Sequence, residues 1–298
     1  MQRRTALLDA PSNLGLRPPA PGVVPGCYKL AGALRDQGIL DRIGAEDAGY
    51  ATPPRYDRGD WEPGDGLFNA DGIAAYTRRL ADRLGSLLDG GRFPVVLGGD
   101  CSILLGAALA LRRRGRYGVA FVDGHSDFRH PDNSPGVGAA AGEDLALVTG
   151  HGQALATDID GLRPYIDIED AAVLGIRDDD EHTAELDARG ALVRPLARVR
   201  EDGPAAAAAA ALARFARNGV DGFWVHLDAD VLDAAVMPAV DSPNPGGLSH
   251  AELRALLAPL LASEHCAGFE ITVFDPDLDP DGRLAAELTD TLVAVIAG

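Results

Sequence analysis

Cysteine is scarce in this 298-residue chain: Cys27, Cys101 and Cys266 are the only three, and their spacing is irregular. That excludes a disulfide framework and makes a reducing compartment the expectation. Positive charge is also in deficit, with 27 Lys+Arg against 45 Asp+Glu and a formal net charge of −18. Without a basic stripe, neither nucleic acid nor an anionic membrane is expected as a partner. A surplus of carboxylates does suit a bound cation. No apolar run approaches the ~18 residues of a membrane span. The first residues include Arg3 and Arg4 but no apolar stretch long enough for a signal peptide, so a cytoplasmic protein is expected. What remains is a globular balance, 46% hydrophobic and 24% charged, ample for a sizeable core.

Apolar segments of strand length alternate with helical patterns. Residues 95–97, 119–122, 172–176, 223–227 and 268–273 read as buried strands. Residues 71–90, with Ile73, Tyr76, Leu80 and Leu84 in helical spacing, read as a helix, as do 103–114 and 205–217 behind Pro204. Continuous apolar strands alternating with helices predict an α/β fold with a mostly parallel sheet covered on both faces. The Pro- and Gly-rich segment from Pro11 to Pro63 reads as long loops over one end of the sheet. No linker divides the chain, so residues 1–298 are read as one domain.

In such sheets ligands bind beyond the carboxyl ends of the strands. Three strands run directly into ligand-type residues there: Asp100-Cys101-Ser102, Asp123-Gly124-His125-Ser126-Asp127 and Asp228-Ala229-Asp230. In extended chain, residues two apart share a face, so Asp123, His125 and Asp127 converge, and so do Asp228 and Asp230. Carboxylates crowded this way do not all stay ionised without compensating positive charge. A divalent cation, or a pair bridged by shared carboxylates, supplies it and takes the imidazole as a further ligand. His151, His182, His226, His250 and His265 show no ligand spacing and read as structural or surface residues.

The series VLGGDCS, FVDGHSDF and HLDADVLD, followed by VDSPNPGGLS, resembles the arginase/agmatinase (ureohydrolase) superfamily from Gly22 to about Pro276. The resemblance implies a three-layer α/β/α fold, a trimer or hexamer, and a manganese pair that activates a hydroxide. That hydroxide attacks the central carbon of a guanidine or amidine in a small-molecule substrate. It further implies Asp123, Asp127 and Asp228 as ligands of one ion, with Cys101 in the place of a histidine. Asp123, His125, Asp228 and Asp230 would hold the other, Asp127 would orient the hydroxide, and Asp180 would meet the amino group of an amino-acid substrate.

Three departures from the family pattern bear on chemistry. GGDCS replaces GGDHS, so Cys101 is either a soft ligand that favours Zn²⁺ or Fe²⁺ over Mn²⁺, or a buried thiol beside a weak or empty first site. One or two ions are therefore expected. Arginases and agmatinases carry a glutamate that pairs with the guanidinium two residues before a late proline pair; here Val273 stands at that position. Glu270 is the alternative, although alternation puts it on the opposite face from Val273. After Asp127, Arg129 replaces an asparagine and suits either an anionic substrate group or a salt bridge to Asp127 or Asp132. The family's proton-shuttling histidine is replaced by Ala140 or Ala141, which leaves His130 as the substitute shuttle. The first functional expectation is a metal-dependent hydrolase of a non-peptide C–N bond, acting on a guanidino, amidino or formimidoyl compound, with a modified arginine favoured over free L-arginine. The second is a non-catalytic binding or assembly subunit on the same fold.

Overall fold

The computed structural model describes residues 3–297. Its strands are β1 (Thr5–Asp9), β2 (Glu46–Tyr50), β3 (Phe93–Leu97), β4 (Tyr117–Val122), β5 (Ala171–Leu174), β6 (Leu192–Arg194), β7 (Gly222–Asp228) and β8 (Cys266–Thr272). They form one sheet in the order β2-β1-β3-β8-β7-β4-β5-β6, and every neighbouring pair is parallel. All carboxyl ends therefore open on the same edge. The chain passes from β3 to β4 over the places later filled by β8 and β7, so the four central tips come from distant parts of the sequence.

The strands are apolar on both faces because both are covered, which makes three layers. Val96, Phe121 and Trp224 face the helices Ala70–Asp89, Leu104–Arg112 and Asp144–Val148. Val95, Val225, Leu227 and Phe269 face Leu30–Asp36, Pro204–Asn218, His250–Ala262 and Arg283–Ile296. Proline opens the alanine-rich helix, and Ser249 with Glu252 forms a capping box on His250–Ala262. No helix among the described residues is long and apolar enough to cross a membrane.

The segment from Pro11 to Pro63 is more ordered than its composition suggests. It carries helices at Leu30–Asp36 and Ile39–Arg42 and the edge strand β2. β2 is mostly exposed and polar, so it emits no apolar signal.

One position at the sheet edge depends on backbone geometry. A Cβ on Gly99 would stand 1.7 Å from the Ser12 carbonyl oxygen, because Ser12 and the end of β3 cross in contact. Neither backbone can yield cheaply: Asp100 N–H donates to Ser12 O at 3.0 Å, and Val273 N–H donates to Gly99 O at 2.7 Å. Gly99→Ala is expected to cost about 3 kcal/mol, the upper end of overpacking penalties. A urea midpoint unchanged from the parent would show that this crossing is loose.

Candidate metal centre

At the tips of β3, β8, β7 and β4 the side chains brace one another. Asp100 caps the turn after β3 by accepting from Ser102 N–H at 2.9 Å and from Ser12 Oγ at 2.7 Å. This delivers Cys101 inward, where its thiol donates to Asp228 Oδ2 at 2.8 Å and lies 3.1 Å from Thr272 Oγ1. Asp123 Oδ1 accepts from His125 N–H, and Asp228 Oδ1 accepts from Asp230 N–H, both at 2.7 Å. The D-x-H and D-x-D spacings thus also make the local carboxylate turns that aspartate favours. Asp230 ties the two tips together, accepting from Gly124 N–H at 3.1 Å and lying 2.9 Å from His125 Nδ1. On the other side of the ring, His125 Nε2 is 2.8 Å from Asn244 Nδ2.

Two donor groups result, Cys101/Asp123/Asp228 and Asp123/His125/Asp230, each with ligand atoms within 4.8 Å of one another. Asp123 belongs to both. It is fully buried, and its Oδ2 has no hydrogen-bond partner among the described residues. Burial first, then the charges of Asp127, Asp230 and Asp228, push its carboxyl well above the usual range. Burial also raises Asp228 and lifts Asp127 to about 8 and Asp241 to about 6. Burial alone would lower His125, but its bond to Asp230 and that residue's charge carry it to about 9. An orphaned buried oxygen among crowded carboxylates is costly alone and is the donor set a divalent cation satisfies. Of the ligands expected from the sequence, Cys101, Asp123, His125, Asp228 and Asp230 are brought together, while Asp127 lines the cavities above them and belongs to neither donor group.

Two cavities meet over this cluster and share His125, Asp127 and Arg129. The first, about 580 Å³, has Cys101, Asp228 and Asp230 at its floor and Val273, Val240 and Leu16 on its walls. The second, about 680 Å³, is walled by Asp178, Asp179, Asp180 and Glu181. Asp180 lines it and also accepts from Ser126 N–H at 2.9 Å, bracing the β4 tip. Val273 adopts a φ of +74° and Asp127 one of +43°. A β-branched residue in that region is strained by ~1–3 kcal/mol, and such strain persists only where neighbours fix it.

Two expectations are corrected. His130 is buried and lines neither cavity; its Nε2 lies 3.2 Å from Glu185 Oε1, and its Nδ1 accepts from Asp132 N–H at 3.3 Å. With both nitrogens engaged away from the cluster, it is no shuttle for it. Glu270 is fully buried beneath the sheet edge, 2.8 Å from His226 Nδ1, and lines neither cavity. Arg177 and Asn244 went unassigned in the sequence. Arg177 donates to the carbonyls of Asp230, Leu232, Asn244 and Pro245, holding both the β7 tip and the loop that carries Asn244 to His125. The Asn-Pro and Gly-Gly composition of that loop announces a turn and nothing about a ring nitrogen across the cavity.

A profile described as Arginase family matches residues 24–297. An arginase from Brevibacillus brevis is 28% identical over 304 residues, covering 100% of this chain and 99% of its own length. The solved arginase from Bacillus caldovelox superposes with a TM-score of 0.88 at 25% identity, covering 100% of this chain and 99% of that one. A formimidoylglutamase from Bacillus subtilis shares the fold, with a TM-score of 0.75 at 20% identity over 99% of this chain and 87% of its own. With its carboxylates and imidazole gathered at the strand tips, the chain belongs to the arginase family of metal-dependent amidinohydrolases.

Proposed function

We propose that this enzyme hydrolyses a guanidino compound other than free L-arginine, a modified arginine being the preferred class. The observation that carries the reading is Val273. It lines the first cavity where the family resemblance places a guanidinium-pairing glutamate, and Glu270 is buried away from that wall. An unmodified guanidinium would lose a bidentate, charge-assisted partner there. A substituted guanidine with a different charge or hydrogen-bonding pattern has less need of it.

Asp123, His125, Asp127, Asp228 and Asp230 would hold one or two divalent ions, manganese by the family resemblance. Bound there, the metal supplies Lewis-acid polarisation and lowers the pKa of water toward neutrality. The protein's own part is positioning. Asp127, which lines both cavities, accepts a hydrogen bond from the attacking water and aims it at the guanidine carbon. Arg129, on the wall common to both cavities, binds an anionic group of the substrate. Asp180 receives an amino group in the second cavity. The same reading includes a cytoplasmic trimer or hexamer, which light scattering on the purified protein tests.

The test is urea or substituted-urea release from L-arginine, agmatine, N-substituted arginines and formimidoyl amino acids by metal-loaded protein. Faster turnover of a substituted arginine supports the reading. Preference for free L-arginine or for a formimidoyl compound overturns it, and no turnover at all points to a binding subunit. Val273→Glu is expected to raise kcat/KM for L-arginine about tenfold or more, by restoring a bidentate carboxylate worth at least ~1.4 kcal/mol.

A further inference from the structure

Two residues deeper than the carboxylate row, His226 of β7 and Glu270 of β8 stand side by side in register. They occupy the same face of the sheet as Asp228 and Thr272, one step further from solvent. The His226 ring is fully buried and stacks on Phe121 with centroids 4.8 Å apart. Its Nδ1 is 2.8 Å from Glu270 Oε1. With the carboxylate accepting there, Nδ1 carries the hydrogen and Nε2 presents a lone pair. That lone pair faces Asp144 Oδ2 at 3.8 Å.

Neither His226 Nε2 nor Asp144 Oδ2 has a hydrogen-bond partner among the described residues, and both residues are fully buried. Two unpartnered polar atoms facing each other in a dry interior are unfavourable, and 3.8 Å is too long for a hydrogen bond between them whichever one holds a proton. It is a span that an ion bridges with bonds of roughly 2.0–2.2 Å. The sulfur of Cys101 completes the group: its Sγ, a carboxylate oxygen of Asp144 and a ring nitrogen of His226 all lie within 4.8 Å of one another.

We propose that Cys101, Asp144 and His226 form an interior cation site of zinc type, behind the strand-tip cluster and separate from it. One thiolate, one imidazole and one carboxylate make a borderline-soft donor set that favours Zn²⁺ over Mn²⁺. Glu270 takes the place behind the histidine that a carboxylate holds in many metal sites, fixing the tautomer and the ring orientation. Binding expels the thiol proton of Cys101 to solvent, breaks its hydrogen bond to Asp228 and turns the sulfur inward. The site stands independently of the proposed substrate. It gives His226, Asp144 and Glu270 a common purpose that the strand-tip ions do not require.

The experiment uses full-length protein stripped with chelator and titrated with Zn²⁺ alone, read by metal content and by X-ray absorption at the zinc edge. The parent is expected to show a zinc–sulfur distance of about 2.3 Å. His226→Gln and Asp144→Asn are each expected to abolish that sulfur signal and lower bound zinc by about one ion per chain. Asp230→Asn is expected to reduce zinc at the strand tips and leave the sulfur signal intact. Glu270→Gln is expected to weaken the interior ion about 10–100-fold without changing the sulfur distance. Asp144→Asn preserves volume and one carbonyl oxygen, so a folded variant remains to be read should His226→Gln fail to fold. A sulfur signal that survives in Asp144→Asn but disappears in Asp123→Asn would assign Cys101 to the strand-tip ions and overturn the proposal. Absence of any zinc–sulfur distance in the parent overturns it equally.

Discussion

Asp123→Asn is expected to lower hydrolysis by about 10³-fold or more in metal-supplemented buffer, because Lewis-acid stabilisation is worth several kcal/mol and each ~1.4 kcal/mol is a factor of ten. Asp123 is the donor common to both strand-tip groups, so its loss weakens both at once. The same substitution has the opposite sign in metal-free protein. A neutral amide keeps the acceptor for His125 N–H and removes the cost of holding a proton on a buried carboxyl that the unfolded chain would release. The metal-free variant is therefore expected to melt at a higher temperature than the metal-free parent, and the order reverses once divalent ion is added. A variant that melts lower in both conditions would mean that Asp123 is a packing residue and not a ligand.

The metal-free protein is expected to lose stability as pH rises from about 5 to about 8. Asp127 ionises near 3.8 in the unfolded chain but only at about 8 in the fold, and Asp241 at about 6. Between those values the folded state keeps protons that the unfolded state has already released, so each unit of pH costs up to ~1.4 kcal/mol per group. Asp123, Asp144 and Asp228 are raised by burial in the same direction. His125, raised from 6.5 to about 9, adds to the trend: its contribution is full below 6.5 and vanishes as pH passes about 9. Glu252 acts the other way but lower on the scale; held at about 2 by Arg200, it loses stability only as pH falls below its ordinary 4.5. A fall in Tm on the order of 10 °C across this window follows for a chain of this size. With saturating metal the trend inverts, because ligands bind only when deprotonated. A flat calorimetric profile for the stripped protein would refute the crowded-carboxylate account.

The sequence made the centre of the fold legible and its margins much less so. Continuous apolar runs marked β3, β4, β5, β7 and β8 to within a few residues. β6 has only Leu192–Arg194 and β2 is solvent-facing, so neither has the length or burial that creates a pattern. At the site, the alternation expected from the sequence holds only to the ends of β4 and β7; beyond them bends and a 3-10 turn at Ala229–Val231 gather the DGHSD and DAD residues. The same alternation, followed backward from Asp228, puts His226 on the face of Asp228, although nothing in the sequence showed what lies opposite it. Glu270 was misassigned for a related reason. Its partner is set by the adjacency of β7 and β8 and their register, which are properties of topology. Arg177 and Asn244 act across long stretches of chain, where no periodicity reports contact.

Cys101 and Asp228 touch across 127 residues of chain, and Cys101 and Thr272 across 171. A nascent chain halted before β7 owns Asp123 and His125 yet lacks the groups that close the pocket around them, so an ion bound at this cluster would be captured late, by a nearly finished protein. Ions acquired that late act as a latch on the exit from the native state. They slow unfolding and leave the rate of folding almost untouched.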